Sequence, residues 1–240
     1  MKRKAGVICI ITALICMAVL VPADGDIAAD VGTRAERHLV VIDPGHGGMD
    51  GGASSSGGIS EKDINLSIAR ILKSLLEKEG CRVVMTREDD RDLSNGDSEG
   101  SIRSRKTEDM KVRKGIIDEA GADLAVSIHL NSFTQDTGVR GAQVFFPSDD
   151  SGDNYDKSSL AAEIIQKKLN ENINLKKERT ELGKNDVFIL RDIRCPVVIV
   201  ECGFLSNPQE AEELSKNTYQ VKIANTLKAG ICSFLEVNNM

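Results

Sequence analysis

Short apolar runs punctuate this chain, and several are continuous rather than alternating. LVVI at 39–42, LAVSI at 124–128 and VVIV at 197–200 have this character, as does the VVM of RVVMT at 82–86. Unbroken apolar strands belong to sheets covered on both faces. AQVFF at 142–146 and VFIL at 187–190 complete the predicted strands. Between them Ile64, Ile68, Ile71, Leu72, Leu75 and Leu76 recur at three- and four-residue spacing. That period predicts a helix over 61–79, with Ser60 as its N-cap and Gly80 as its stop. Further helices fit 102–120, 157–172, 207–215 and 218–236. Strands alternating with helices predict an α/β fold: a single-domain, three-layer sandwich with a mostly parallel or mixed central sheet. With no internal repeat and no second module, 38–237 reads as one domain.

The first 37 residues stand apart. MKRK is a basic head, AGVICIITALICMAVLV an apolar run, and VPA ends at Ala23 with a branched residue at minus three and a small one at minus one. This is the layout of an export signal over 1–23. The apolar run is also near the length that spans a bilayer, so an uncleaved membrane anchor fits as well. Residues 24–37 show no apolar period and read as a linker. Two polar stretches inside the domain, 88–101 and 147–159, read as exposed loops long enough to border a site.

Charge narrows the function. Loss of 1–23 removes Lys2, Arg3 and Lys4 and no acid, which moves the net charge from −6 to −9. An acidic body with two tyrosines and no tryptophan lacks the cationic, stacking surface of a nucleic-acid binder, and that class is excluded. Cys9 and Cys16 fall in the signal. Cys81, Cys195, Cys202 and Cys232 form neither a disulfide framework nor a C-x-x-C knuckle, and read as small buried hydrophobes. Cys195 and Cys202, on one predicted strand, are too far apart to bridge each other.

Three apolar runs lead to unusual side chains: His46 after LVVID, His129 after LAVSI, and Glu201 after VVIV. Ligands of open α/β sheets bind beyond the carboxyl ends of the strands, so parallel orientation would deliver two imidazoles and a carboxylate to one edge. Glu61 opens the 61–79 helix, where an acid also serves the helix dipole. The glycines of 47–58 let the loop fold back and bring Glu61 to His46. Two histidines, a glutamate and an open position are the ligand set of a catalytic zinc ion, and Glu201 is the carboxylate available to move a proton. The separations of 46, 61 and 129 match no short zinc motif such as H-E-x-x-H. Structural roles for both histidines therefore stay open on spacing alone.

The ordered set IDPGHGG, EKDINLSIARILKSLL, VVMTR, ADLAVSIHLNS and VIVECGFLSNPQEAEEL resembles the zinc-dependent N-acetylmuramoyl-L-alanine amidases over about 39–236. The resemblance implies an α/β sandwich, one zinc ion on His46, Glu61 and His129, and Glu201 as the catalytic glutamate. The bond cut would join N-acetylmuramic acid to L-alanine in peptidoglycan. A narrower likeness, carried by the 92–110 insertion, by SIHLNS and by a signal followed directly by one catalytic domain, is to the germination-specific amidases of spore formers. It implies peptide removal that lets muramic-δ-lactam form in spore cortex, in the space between the forespore membranes. Wall-binding repeats, which many relatives carry, are not seen here. Targeting then falls to the groove, to a membrane tether through 1–23, or to an accessory protein.

Three other readings compete. A zinc carboxypeptidase-like peptidase would need an arginine to grip a terminal carboxylate, and Arg113 and Arg191 are available. A cysteine amidase would pair Cys202 with His129, but Cys202 and Glu201 are neighbours on a strand and face opposite ways. A non-catalytic domain would bind only glycan or a partner. For the groups that hold the metal ligands in place, Asp43 and Asn131 are candidates.

Overall fold

A computed structural model describes residues 38–94, 101–148 and 153–238. The export signal or anchor and the 24–37 linker lie outside the described residues. The order of elements is β1 (Leu39–Pro44), α1 (Glu61–Lys78), β2 (Arg82–Met85), α2 (Ile102–Ala120), β3 (Leu124–Asn131) and β4 (Gln143–Pro147). Then come α3 (Asp153–Asn172), β5 (Leu182–Lys184), a 3-10 turn (Phe188–Leu190), β6 (Val197–Phe204), α4 (Pro208–Ser215) and α5 (Asn217–Asn238).

The strands form one mixed sheet in the order β2-β1-β3-β6-β4-β5. β1, β3 and β6 are parallel neighbours at its centre, and β4 runs antiparallel to β6. Their continuous apolar sequence has the expected cause, because side chains of opposite parity feed two separate cores. Val40, Ile42, Val126, Ile128, Val198 and Val200 pack with α1, α3 and α5. Val41, Ala125, Val197 and Ile199 face the other way, toward Ile117 of α2 and the Ile189–Leu190 turn. The result is the three-layer sandwich, with the second layer much the thinner.

Three elements depart from the sequence reading. The VFIL run is not a strand but a 3-10 turn whose Ile189 and Leu190 close the thin side of the core. The sheet edge goes instead to β5, whose Leu-Gly-Lys pairs in parallel with Phe145–Pro147. Backbone hydrogen bonds suffice for an edge strand, so it needs no apolar pattern. Helix α3 starts at Asp153, four residues earlier than its apolar period suggests, and takes the end of the 147–159 stretch into its first turn. Ser60 sits at the N-cap of α1 without capping it, and its Oγ donates to the Gly51 carbonyl. Gly80 follows that helix with φ 86°, as a stop should. Cys195 precedes β6 and Cys202 lies in the opposite core, and all four described cysteines are free thiols.

Candidate metal centre

Parity sets which residues reach the site. On β3, residues 125, 127, 129 and 131 share the thin-layer face, and on β6 so do 197, 199 and 201. His129 and Glu201 are register partners across the β3–β6 pairing. His46 arrives differently, from the turn after β1, where the Gly45 amide donates to the Ile128 carbonyl and ties that turn to the neighbouring strand. The His46 backbone has φ 61°, an uncommon value for a residue with a side chain, here enclosed by Gly45, Gly47 and Gly48. Glu61 Nα then donates to the Ala53 carbonyl and Lys62 Nα to that of Gly51, so the loop folds back as its glycines allow.

Glu61 Oε1 lies 3.3 Å from His46 Nε2 and 3.1 Å from His129 Nδ1. Ligand atoms about 2.0–2.1 Å from a tetrahedral zinc ion are about 3.3 Å apart. The two separations to Glu61 match that figure, and the ligand atoms of all three residues lie within 4.8 Å of one another. The three side chains expected as ligands therefore converge, and their donor set of two imidazoles and a carboxylate fits zinc. Burial opposes the charge of Glu61, but hydrogen bonds with His129 and His46 outweigh it and keep the carboxyl well below the usual range. The amides of Leu130 and Ala53 also donate to it, at 3.0 and 2.7 Å.

Glu201 differs in kind. Its Oε2 is sealed from solvent with no hydrogen-bond partner. Burial pushes its carboxyl up to about 7, against the attraction of His129 and His46. Two carboxylates within one site thus sit far apart in acidity, the pattern that divides a permanent anion from a proton carrier. Cys202, next in sequence, is fully buried on the other face, and burial pushes its thiol up. It shares no cavity with His129, which removes the cysteine reading.

The candidate ligands are held by groups that sequence reasoning largely missed. Asp50 Oδ2 is 2.9 Å from His46 Nδ1, leaving Nε2 for the metal, and Lys106 Nζ of α2 fixes Asp50 Oδ1 at 2.7 Å. Asp43 is not the direct partner of a ligand. It pairs with Arg113 at 2.8 Å and accepts from Thr86 and Ser127. Arg113 donates on to the carbonyls of Pro44 and His46, so the Asp43–Arg113 pair fixes the backbone that carries the ligand. Arg113 is thereby committed, with Asp109 as its second carboxylate. Asn131 lines the pocket and accepts from the Ser132 amide. Asp50 had one legible signal, its place four residues after His46 inside the glycine-rich turn. Lys106 had none, since α2 buries only Asp109, Arg113 and Ile117 and shows little apolar period.

A family model described as N-acetylmuramoyl-L-alanine amidase matches residues 40–233. The germination-specific N-acetylmuramoyl-L-alanine amidase of Bacillus subtilis (strain 168) is 36% identical over 198 residues, 82% of this chain and 79% of the relative. Among solved structures, the CwlD amidase from Clostridioides difficile in complex with the GerS lipoprotein is similar with a TM-score of 0.79 and 38% identity. That similarity covers 83% of this chain and 99% of the other. An N-acetylmuramoyl-L-alanine amidase from Clostridium difficile 630 matches with a TM-score of 0.72 and 29% identity, over 84% of this chain and 98% of the other.

Proposed function

The chain belongs to the N-acetylmuramoyl-L-alanine amidase family, and from that premise we propose that it hydrolyses the muramoyl–L-alanine amide of peptidoglycan with one zinc ion held by His46, Glu61 and His129. When bound, zinc supplies a lowered pKa for the attacking water and polarisation of the scissile carbonyl. The chain's own residues supply the rest. The Glu201 carboxyl, which lines the cavity, would take a proton from that water and return it to the alanine nitrogen as the carbon–nitrogen bond breaks. A carboxyl raised to about 7 is suited to both halves of that transfer near neutral pH. Asp50 holds His46 in the tautomer that leaves Nε2 free.

The observation that carries this reading is the unpartnered Glu201 Oε2 beside three converging metal donors. A binding domain without catalysis has no use for a buried, unpaired carboxyl there, because leaving one is costly. The peptidase reading loses Arg113, which is locked in buried ion pairs.

The narrower resemblance read from the sequence, with the germination-specific name of the relative beside it, supports spore-cortex peptidoglycan as the substrate and a product that leads to muramic-δ-lactam. The same resemblance supports action outside the cytoplasm, between the forespore membranes, after export by residues 1–23 or with those residues as a tether. The solved relative bound to a lipoprotein supports an accessory protein as partner. Among the described residues no helix is long and apolar enough to cross a membrane. The test is to treat purified protein with a chelator, restore one equivalent of zinc, and follow soluble L-alanyl peptides from stripped cortex. Release must vanish and return with the metal.

A further inference from the structure

The cavity at the metal donors, about 410 Å³, does not end at them. It meets a second cavity of about 560 Å³, and Lys184 lines both. Residues of one parity on β6 pass from the first to the second: Glu201 and Ile199 line the catalytic cavity and Val197 the adjoining one. On β4, Phe145 lines the first and Pro147 the second. The two therefore form one trough on one face of the sheet. From the level of Glu201 to that of Val197 it runs four residues of strand, about 13 Å.

The charges along the trough differ in how they are engaged. Lys106 and Arg113, at the catalytic end, are matched by Asp50, Asp43 and Asp109. Lys184 and Arg191 have no carboxylate partner among the described residues. Lys184 Nζ lies over the Phe145 ring at 5.3 Å, and the Arg191 guanidinium over Phe188 at 6.0 Å. Aromatic faces orient a cation without neutralising it. Asp192 also lines the outer cavity beside Arg191, but its carboxylate is met by Lys114 at 3.8 Å; in a chain with 37 acidic and 31 basic residues, the two cations left along the trough mark an anion path.

We propose that Lys184 and Arg191 are a carboxylate-binding subsite for the peptide side of the substrate. Lys184 meets a carboxylate close to the scissile amide, and Arg191 one farther along. An extended peptide advances about 3.3 Å per residue, so the trough accommodates about four residues beyond the cut. Arg191 opens on the adjoining cavity rather than the catalytic one, so it reads a carboxylate along an acidic peptide and not the terminus of a single residue being released. The inference rests on the amidase reading and adds what the leaving group must carry.

Two pairs of N-acetylmuramoyl tripeptides test it: in the first pair one member carries a carboxamide in place of the second residue's free carboxyl, and in the second pair one member carries it in place of the terminal carboxyl. Each is assayed with zinc-loaded wild type, Lys184→Gln, Arg191→Gln and the conservative Lys184→Arg, with melting temperatures as the control for folding. For the carboxylate substrate, KM should rise roughly tenfold in Lys184→Gln, the scale of one charge-assisted hydrogen bond, with kcat nearly constant. For the carboxamide it should stay at the wild-type value, and Lys184→Arg should restore most of the preference. Arg191→Gln should raise KM for a tripeptide with a free terminal carboxyl and leave one with an amidated terminus unaffected. Equal losses on both members of a pair, or no loss on either, would overturn the subsite. Wild type inert on all substrates would instead overturn the amidase reading beneath it.

Discussion

His129 and Glu201 stand opposite each other as register partners on the parallel strands β3 and β6, so imidazole and carboxyl emerge side by side on one face. The next residue, Cys202, must then enter the opposite core, where it is fully buried with its thiol pushed up. Cys202→Ala should keep wild-type turnover and lose roughly 1 kcal/mol of stability, the usual cost of a point substitution. Loss of turnover in a folded Cys202→Ala protein would restore a role for the thiol.

Asp50 links α2 to the proposed metal ligand His46, with Lys106 on one oxygen and His46 on the other. Removal of a carboxylate that orients a ligating histidine weakens metal binding by about 10- to 100-fold. Asp50→Asn should show that loss in a zinc titration. Lys106→Met should show a smaller one, because Asp50 stays in place but less firmly. Unchanged zinc affinity in both would leave the Asp50 contact without function.

Glycine at 45 is required by space. A Cβ there would fall 2.2–2.6 Å from the ring atoms of His129. Gly45→Ala should therefore displace His129 and abolish the rise in melting temperature that zinc is expected to give the wild type. Gly58, which has open space around it, is the control: Gly58→Ala pays only for its φ of 79° and should keep the zinc response. A normal zinc response in Gly45→Ala would contradict the placement of the ring.

Asp43 gives an acid signature. Burial opposes its charge, but Arg113, Ser127 and Thr86 bring its carboxyl down to about 2 from 3.8. A folded pKa below the unfolded one contributes stability that is present above about 3.8 and fades as pH falls toward 2, here roughly 2 kcal/mol. Asp43→Asn should be less stable at neutral pH by about 3–5 kcal/mol, since it leaves Arg113 short of a buried partner. Denaturant unfolding from pH 5 to pH 2 should show the gap narrow over the last two units. A constant gap would mean that Asp43 is not ionised through its ion pair.

The central sheet and the places of the four candidate site residues were legible because they leave local marks. Unbroken apolar runs such as LVVI and VVIV have a single structural explanation, burial on both faces, and the polar residues that end them stand out against it. The VFIL run misled because a short apolar segment packs equally well as a turn against the core. Strand β5 was invisible because an edge strand is defined by its backbone pairing with β4. Lys106 meets Asp50 across 56 residues of sequence and Lys184 lies over Phe145 across 39, and no period in sequence reports such contacts. Asp43 was singled out for the right neighbourhood and the wrong contact, since its effect reaches His46 through Arg113 and the backbone.

The account turns on the division of labour between Glu201 and the three metal donors, and the turnover of zinc-loaded Glu201→Gln tests it most directly. The variant should bind one zinc ion as the wild type does and cleave the muramoyl–L-alanine amide about 100- to 10,000-fold more slowly, the range for a lost general acid–base group. Turnover within a few-fold of wild type, at full zinc occupancy, would contradict it.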